Sequence, residues 1–504
     1  MRYGLVLLGG LLGVAVAAAC SSDDPVQSGP ADAGPDEASV TTPDGPVDAA
    51  SGSLTFWRSG SRLRAEVVRA GDAARFERFF DTERNEACSF AQTSPGEFRC
   101  LPSSMNVAYA EPTCESPSIA IVQSCTRTIK YATTATTITA GCDSHYLVQK
   151  VFTVGPAIGE GDTYDTANGT CAIVQRSPGG GSERHALGPE VPLTEFVKAT
   201  IAQARVSSDL SVERLVGEDG SELTRESALF DHTRDAGCGV MMVGPTNAKV
   251  GACIPERPAH ADTENDRFAN ASCTEPAARG VSRPDCAAGG VAVLHSRFDA
   301  GGGCNPGFMS ALHERGAPLA TWYEGPSCTP ATTEPGSAMF ALGPELSPSL
   351  FPAVDEQLFG TARIGLRALA KNGVQLTNGA LYDVTAKSHC AASTFSDGKL
   401  YCLAGDVVPY GFRDRFKDPA CTQPVFLPDP CSPATALVEV IEYGCQGNLY
   451  DANLLALGPP FELPTYYEKS ATCDAKTNET GLAQDVLAPV PAAERLFELS
   501  RVRE

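Results

Sequence analysis

An all-β chain built from three tandem disulfide-bonded repeats is what this sequence predicts, and three observations predict it. Eighteen of its 19 cysteines fall into three sets of six with a shared rhythm. An aromatic–Asp pair recurs at a fixed distance before each set, and the apolar residues alternate in short runs punctuated by 48 Gly and 37 Pro.

The amino terminus comes first. Arg2 and an apolar run from Leu5 to Val16 precede Ala17-Ala18-Ala19-Cys20, so residues 1–19 read as a signal peptide. The small residues ahead of Cys20 resemble a bacterial lipobox, which implies lipid attachment at Cys20. Ser21 in the following position implies the outer membrane. Residues 20–53 are rich in Asp, Pro, Ala and Gly with almost no large apolar side chain, the composition of a disordered acidic tether. The formal net charge of −22 argues against a nucleic-acid partner, whose phosphates need a basic footprint.

The repeats follow as residues 54–206, 207–362 and 363–504. Their cysteines are Cys88, Cys100, Cys114, Cys125, Cys142 and Cys171; Cys238, Cys253, Cys273, Cys286, Cys304 and Cys328; and Cys390, Cys402, Cys421, Cys431, Cys445 and Cys473. A signal peptide and an oxidising compartment favour bridges over thiols. Ease of closing short loops suggests neighbour pairing: Cys88–Cys100, Cys114–Cys125, Cys142–Cys171, Cys238–Cys253, Cys273–Cys286, Cys304–Cys328, Cys390–Cys402, Cys421–Cys431 and Cys445–Cys473. Zinc ligation needs tighter pairs than these spacings offer, so no metal and no cofactor are expected.

Asp81, Asp231 and Asp383 each stand seven residues before the first cysteine of their set. Such an Asp either presents a carboxylate three times or holds the backbone of the following turn, as Asx-turns do; the fixed distance from the disulfide favours the structural role. Leu-Gly-Pro segments, Ala186–Pro189, Ala341–Pro344 and Ala456–Pro459, suggest a turn used twice per module and hence paired half-modules. Two packings fit: a six-bladed β-propeller of four-stranded half-modules, or three separate small β-sandwiches or barrels. Leu496–Arg503 resembles the strand that opens copies two and three and is placed to close a ring. Helices are scarce, Glu195–Ala204 and Ala492–Leu499 being the best candidates.

The pattern of Phe80-Asp81, Cys88 and Cys100-Leu101-Pro102 with their counterparts, behind a lipoprotein signal, resembles cysteine-rich repeat lipoproteins of myxobacteria and related Gram-negative bacteria. The resemblance implies a cell-envelope location and no catalytic residue. No His-Glu-x-x-His, Walker loop or Gly-x-Ser-x-Gly elbow is present, and the seven histidines do not recur at one position across the copies. The expected function is a non-enzymatic surface scaffold or ligand-binding module, with an extracellular glycan or an envelope protein as partner. The alternative is a hydrolase or lyase acting on extracellular polysaccharide.

Overall fold

A computed structural model describes residues 55–504 apart from 116, 124–129, 141–142, 159–160, 168–169, 174–181, 245–249, 256–257, 263–266, 282–289, 299–306, 326, 333–336, 396, 405–406, 411–414, 428–435, 444–448, 470–471, 479–480 and 491–495. The expected signal peptide, Cys20 and the expected tether lie outside the described residues.

The chain is all-β, and each copy contributes two units. The first copy runs β1 (Leu63–Ala70), β2 (Ala73–Asp81), β3 (Glu86–Ser94) and β4 (Glu97–Pro102), then β5 (Met105–Ala108), β6 (Ile119–Gln123), β7 (Tyr131–Ala140), β8 (Asp143–Ile158) and β9 (Ser182–Val191). The second runs β10 (Lys198–Arg205), β11 (Leu210–Gly217), β12 (Glu222–Asp231), β13 (Ala236–Val243) and β14 (Val250–Pro255), then β15 (Ala259–Asp262), β16 (Ala277–Val281), β17 (Val291–Phe298), β18 (Gly307–Leu319) and β19 (Ser337–Leu346). The third runs β20 (Ala353–Phe359), β21 (Ile364–Lys371), β22 (Ala380–Asp383), β23 (Ser388–Thr394) and β24 (Leu400–Ala404), then β25 (Val407–Tyr410), β26 (Val425–Phe426), β27 (Ala436–Tyr443), β28 (Leu449–Glu462), β29 (Leu482–Val490) and finally β30 (Phe497–Arg503).

The first units join into one 17-stranded sheet that closes on itself. Antiparallel pairing passes from β4 to β10 and β11, from β14 to β20 and β21, and from β24 to β30. β30 then pairs with β1 in register Glu66↔Arg503 through Arg69↔Ser500. The last strand of the chain thus stands beside the first. Charges reinforce this seam: Glu66 is held by Arg78 at 2.7 Å and Arg503 at 2.8 Å, and Arg501 pairs with Glu77 at 2.6 Å.

Each ring unit has its own core, and the two faces of its opening strand explain how three cores share one sheet. Leu63, Ala65 and Val67 of β1 pack with Phe79, Cys88 and Cys100 of their own unit. Alternation turns Val68 and Ala70 to the opposite face, where they join Ile364, Leu381, Cys402 and Leu499 in the core of the third unit. In the same way Leu376, just past the end of β21, joins Leu210 and Val212 of the second unit, and Leu223 of β12 packs against the core of the first. Each first hairpin therefore plugs the core of the unit before it, which three independent beads would not do.

The second units are five-stranded. β5–β9 close into a barrel in the order β9-β6-β5-β7-β8, and β15–β19 close into a second barrel in the order β15-β16-β19-β18-β17. In the third copy the sheet runs β25-β27-β28-β29-β26. Each contains one parallel pair, β5–β7, β15–β17 or β25–β27.

Several expectations change here. Six four-stranded blades would each end in edges of their own, whereas the observed pairing runs on from unit to unit; a closed ring carrying inserted barrels replaces the propeller. The Leu-Gly-Pro turns do not divide half-modules. Gly155 and Gly188 sit on the paired strands β8 and β9 of one barrel, at consecutive register shifts. A Cβ on Gly155 would lie 2.9 Å from the Ala186 carbonyl oxygen, so the close crossing requires glycine. The expected helix at 195–204 is largely the strand β10, preceded by a 3₁₀ turn at Leu193–Glu195; of the one expected at 492–499, residues 497–499 belong to β30 and 492–495 lie outside the described residues. β10 and β20, placed at the ends of copies one and two, each bridge two units.

The disulfides keep three of the nine expected neighbour pairs and replace the other six. Cys88–Cys100, Cys238–Cys253 and Cys390–Cys402 staple adjacent strands of the ring units. The third cysteine of each set bonds to the sixth: Cys114–Cys171, Cys273–Cys328 and Cys421–Cys473. This replaces Cys114–Cys125, Cys142–Cys171, Cys273–Cys286, Cys304–Cys328, Cys421–Cys431 and Cys445–Cys473. The cause is strand pairing. Cys114, Cys273 and Cys421 each sit at a φ near +50° in a tight turn, and the segment leading into that turn pairs with the hairpin that carries the sixth cysteine, through Tyr109↔Tyr164, Phe268↔Tyr323 and Phe416↔Tyr467. Loop entropy grows only slowly with length, so spatial adjacency outweighs closeness in sequence. Cys125, Cys142, Cys286, Cys304, Cys431 and Cys445 lie outside the described residues.

Candidate functional site

The residues that recur in all three copies turn inward. Asp81, Asp231 and Asp383 are each 1% exposed. Asp81 Oδ1 accepts the amides of Glu83 and Arg84 at 3.1 and 3.2 Å, Asp231 Oδ1 those of Thr233 and Arg234 at 2.8 and 3.3 Å, and Asp383 Oδ1 those of Thr385 and Ala386 at 2.8 and 3.0 Å. The remaining oxygen meets a guanidinium in every copy. Arg62 and Arg363, which directly precede β1 and β21, pair with Asp81 and Asp383 at 2.7 Å. In the second copy Asp209 occupies that place, and the cation comes instead from Arg234 within the turn, at 2.8 Å. Burial raises the pKa of Asp383, but the Arg363 bond and the two amides outweigh it and hold the carboxyl below its ordinary value. These aspartates are structural.

A second recurring set joins the units. Asp219, in the turn between β11 and β12, accepts the amides of Arg62 and Leu63 at 3.1 and 2.7 Å. Asp72, between β1 and β2, accepts the amide and hydroxyl of Thr361 at 3.0 and 2.8 Å. Asn372, after β21, donates to the Val206 carbonyl at 3.2 Å. Each first-hairpin turn thus grips the segment that opens the preceding unit, and the three grips run once around the ring.

What one copy alone possesses is not required by a fold made three times. By that criterion the candidate site is His260, His295 and Ser310, on the second barrel where its wall meets the ring. His260 of β15 and His295 of β17 place Nδ1 and Nε2 3.2 Å apart. Their ring planes are 5° from parallel, with centroids 5.5 Å apart. His295 Nδ1 lies 3.0 Å from Ser310 Oγ of β18, and the Gly244 amide of the ring donates to the Ser310 carbonyl at 2.8 Å. Ala259 and Ala261 on either side of His260 are buried in the barrel interior, so alternation puts His260 outside. Burial, and then the neighbouring His295, push the His260 pKa below the ordinary imidazole value.

The register identifies the same positions in the other copies. His260 pairs with Val293, as Asn106 pairs with Thr133 and Pro409 with Val438. His295 pairs with Ser310, where the third copy has Val440 opposite Ala452. The sequence signal was a His-x-Asp stretch at His260–Asp262 inside a strand with a single His on a neighbour. Scanning for residues shared by the copies passes over such a signal.

Two further histidines sit at glycine crossings. His185 Nδ1 lies 3.0 Å from the Gly155 carbonyl, and His313 Nδ1 lies 3.0 Å from the Gly343 carbonyl, each at a glycine crossing. Trp57 stacks on Phe76 beside the first core, and Trp322 lies under Arg267. Among the described residues no group of three or more His, Cys, Asp or Glu side chains is placed to hold a metal ion. No described helix is long and apolar enough to cross a membrane.

Residues 47–495 match a family described as Family of unknown function (DUF7481). No curated protein and no solved structure matches the chain.

Proposed function

The chain belongs to the Family of unknown function (DUF7481), and from that premise we propose that it is a lipid-anchored envelope protein whose ring is a non-enzymatic scaffold for an extracellular glycan or an envelope protein. One observation carries the reading: the polar residues repeated in every copy, Asp81, Asp231 and Asp383, are all consumed by turn amides and guanidinium groups. Triplication therefore repeats a surface and not a reaction centre. The anchor is Cys20, and the acidic tether of residues 20–53 holds the ring off the outer membrane.

The test is direct. Sedimentation with purified peptidoglycan sacculi, lipopolysaccharide and capsular polysaccharide should show saturable binding without release of new reducing ends or unsaturated products. Turnover of any of these, lost on replacing one side chain, would establish the alternative polysaccharide hydrolase or lyase. Radiolabelled palmitate should enter the wild-type chain and not Cys20→Ala; labelling of both would remove the anchor from the account.

A further inference from the structure

We propose that His260 and His295 bind a single late first-row divalent cation, Zn²⁺, Cu²⁺ or Ni²⁺, at the seam between the second barrel and the ring. The facing nitrogens, His260 Nδ1 and His295 Nε2, are 3.2 Å apart. A metal bound at about 2.0–2.1 Å by each of two imidazoles in tetrahedral geometry separates their nitrogens by about 3.3 Å. The pair therefore stands at ligand spacing, and a modest turn of each ring aims both lone pairs at one point. Imidazole is a preferred donor for these three ions.

Two further observations point the same way. The pair is absent from the other copies, where Asn106 and Pro409 replace His260 and Val440 replaces His295, so folding does not call for it. Its second nitrogen gives His295 the outer partner that metal-bound imidazoles have: Nδ1 lies 3.0 Å from Ser310 Oγ.

Proton balance is simple. Without a cation, one proton lies between the two facing nitrogens. On binding, that proton moves from His295 Nε2 to its Nδ1, where Ser310 Oγ accepts it, and both facing nitrogens become donors to the metal without a proton leaving the site.

The experiment uses the full chain without a histidine tag, stripped with EDTA and titrated with Cu²⁺ and, separately, with Zn²⁺. One Cu²⁺ per chain should give an electron paramagnetic resonance spectrum with coupling to two imidazole nitrogens. His260→Ala and His295→Ala should each reduce that coupling to one nitrogen and weaken Zn²⁺ binding by about tenfold or more. Ser310→Ala should keep two nitrogens while weakening binding by about tenfold. A wild-type spectrum without nitrogen coupling would overturn the proposal whatever the variants do. So would equal Zn²⁺ affinity in the wild type and in folded His260→Ala and His295→Ala chains.

Discussion

Replacing Asp219 by alanine tests the grip that ties the second unit to the first. The carboxylate is half-buried and accepts four hydrogen bonds: Arg62 and Leu63 amides at 3.1 and 2.7 Å, and the Ser221 amide and hydroxyl at 3.1 and 2.6 Å. Ser221 lies in the same turn and is fully buried, so its amide and hydroxyl lose their partner as well, though without loosening a strand. Arg62 and Leu63 are different, because they start β1, and Leu63 is fully buried in the first core. Leaving a buried amide unpaired costs about 1–3 kcal/mol, so with partial access to water the Arg62 and Leu63 amides account for about 2 kcal/mol and the Ser221 donors for about 1 kcal/mol more. Urea unfolding of Asp219→Ala should show that loss with little change of slope, and hydrogen exchange at Arg62 and Leu63 should quicken about 30-fold where opening is local. Asp219→Asn should fall between, since one amide oxygen cannot serve both pairs of donors. A loss below about 0.5 kcal/mol with unchanged exchange would refute the reasoning.

Other outcomes follow from the same geometry. Arg234→Ala should cost about 2 kcal/mol by leaving the buried Asp231 carboxylate without its cation, and adding Asp209→Arg should restore part of it by recreating the arrangement of Arg62 and Arg363; urea unfolding reads both. Peptide mapping without reduction should recover Cys114–Cys171, Cys273–Cys328 and Cys421–Cys473; recovery of Cys114–Cys125 would contradict the fold of the first barrel. Asp219, Asp383 and Glu66 are all held below their ordinary values of 3.8 and 4.5. Their stabilisation is therefore complete above those values and lost as pH falls through the lower folded ones. Thermal unfolding should vary little with these groups between pH 6 and 7 (roughly two units above either value) and fall steeply in acid, and Asp383→Asn should flatten the acid limb.

Much of the architecture was legible because repetition magnifies weak signals. Three aspartates at one distance from three cysteines gave the Asx-turn, which needs only neighbouring amides. The likeness of residues 496–503 to the strands opening copies two and three gave the ring closure. Long-range choices were not legible. Cys114 could be matched to Cys171 only by knowing that Tyr109 pairs with Tyr164, and the second core that β1 serves is set by Ile364 and Leu499, far away in the sequence. The strand β10 was read as a helix because Lys198–Arg205 carries alanines and only Ile201 as a large apolar residue; its place between β4 and β11 decides its structure. The His260–His295 pair escaped notice because the two residues are 35 apart and belong to one copy only.

The ring is held closed by the C-terminal strand β30 pairing with the N-terminal strand β1. Hydrogen exchange followed by mass spectrometry measures this on the intact protein. Amides of Phe497–Arg503 should be as strongly protected as those of Leu63–Ala70, and deleting residues 496–504 should strip protection from Glu66–Arg69 first. Exchange of 497–503 at the rate of an unstructured terminus, with 66–69 indifferent to the deletion, would contradict it.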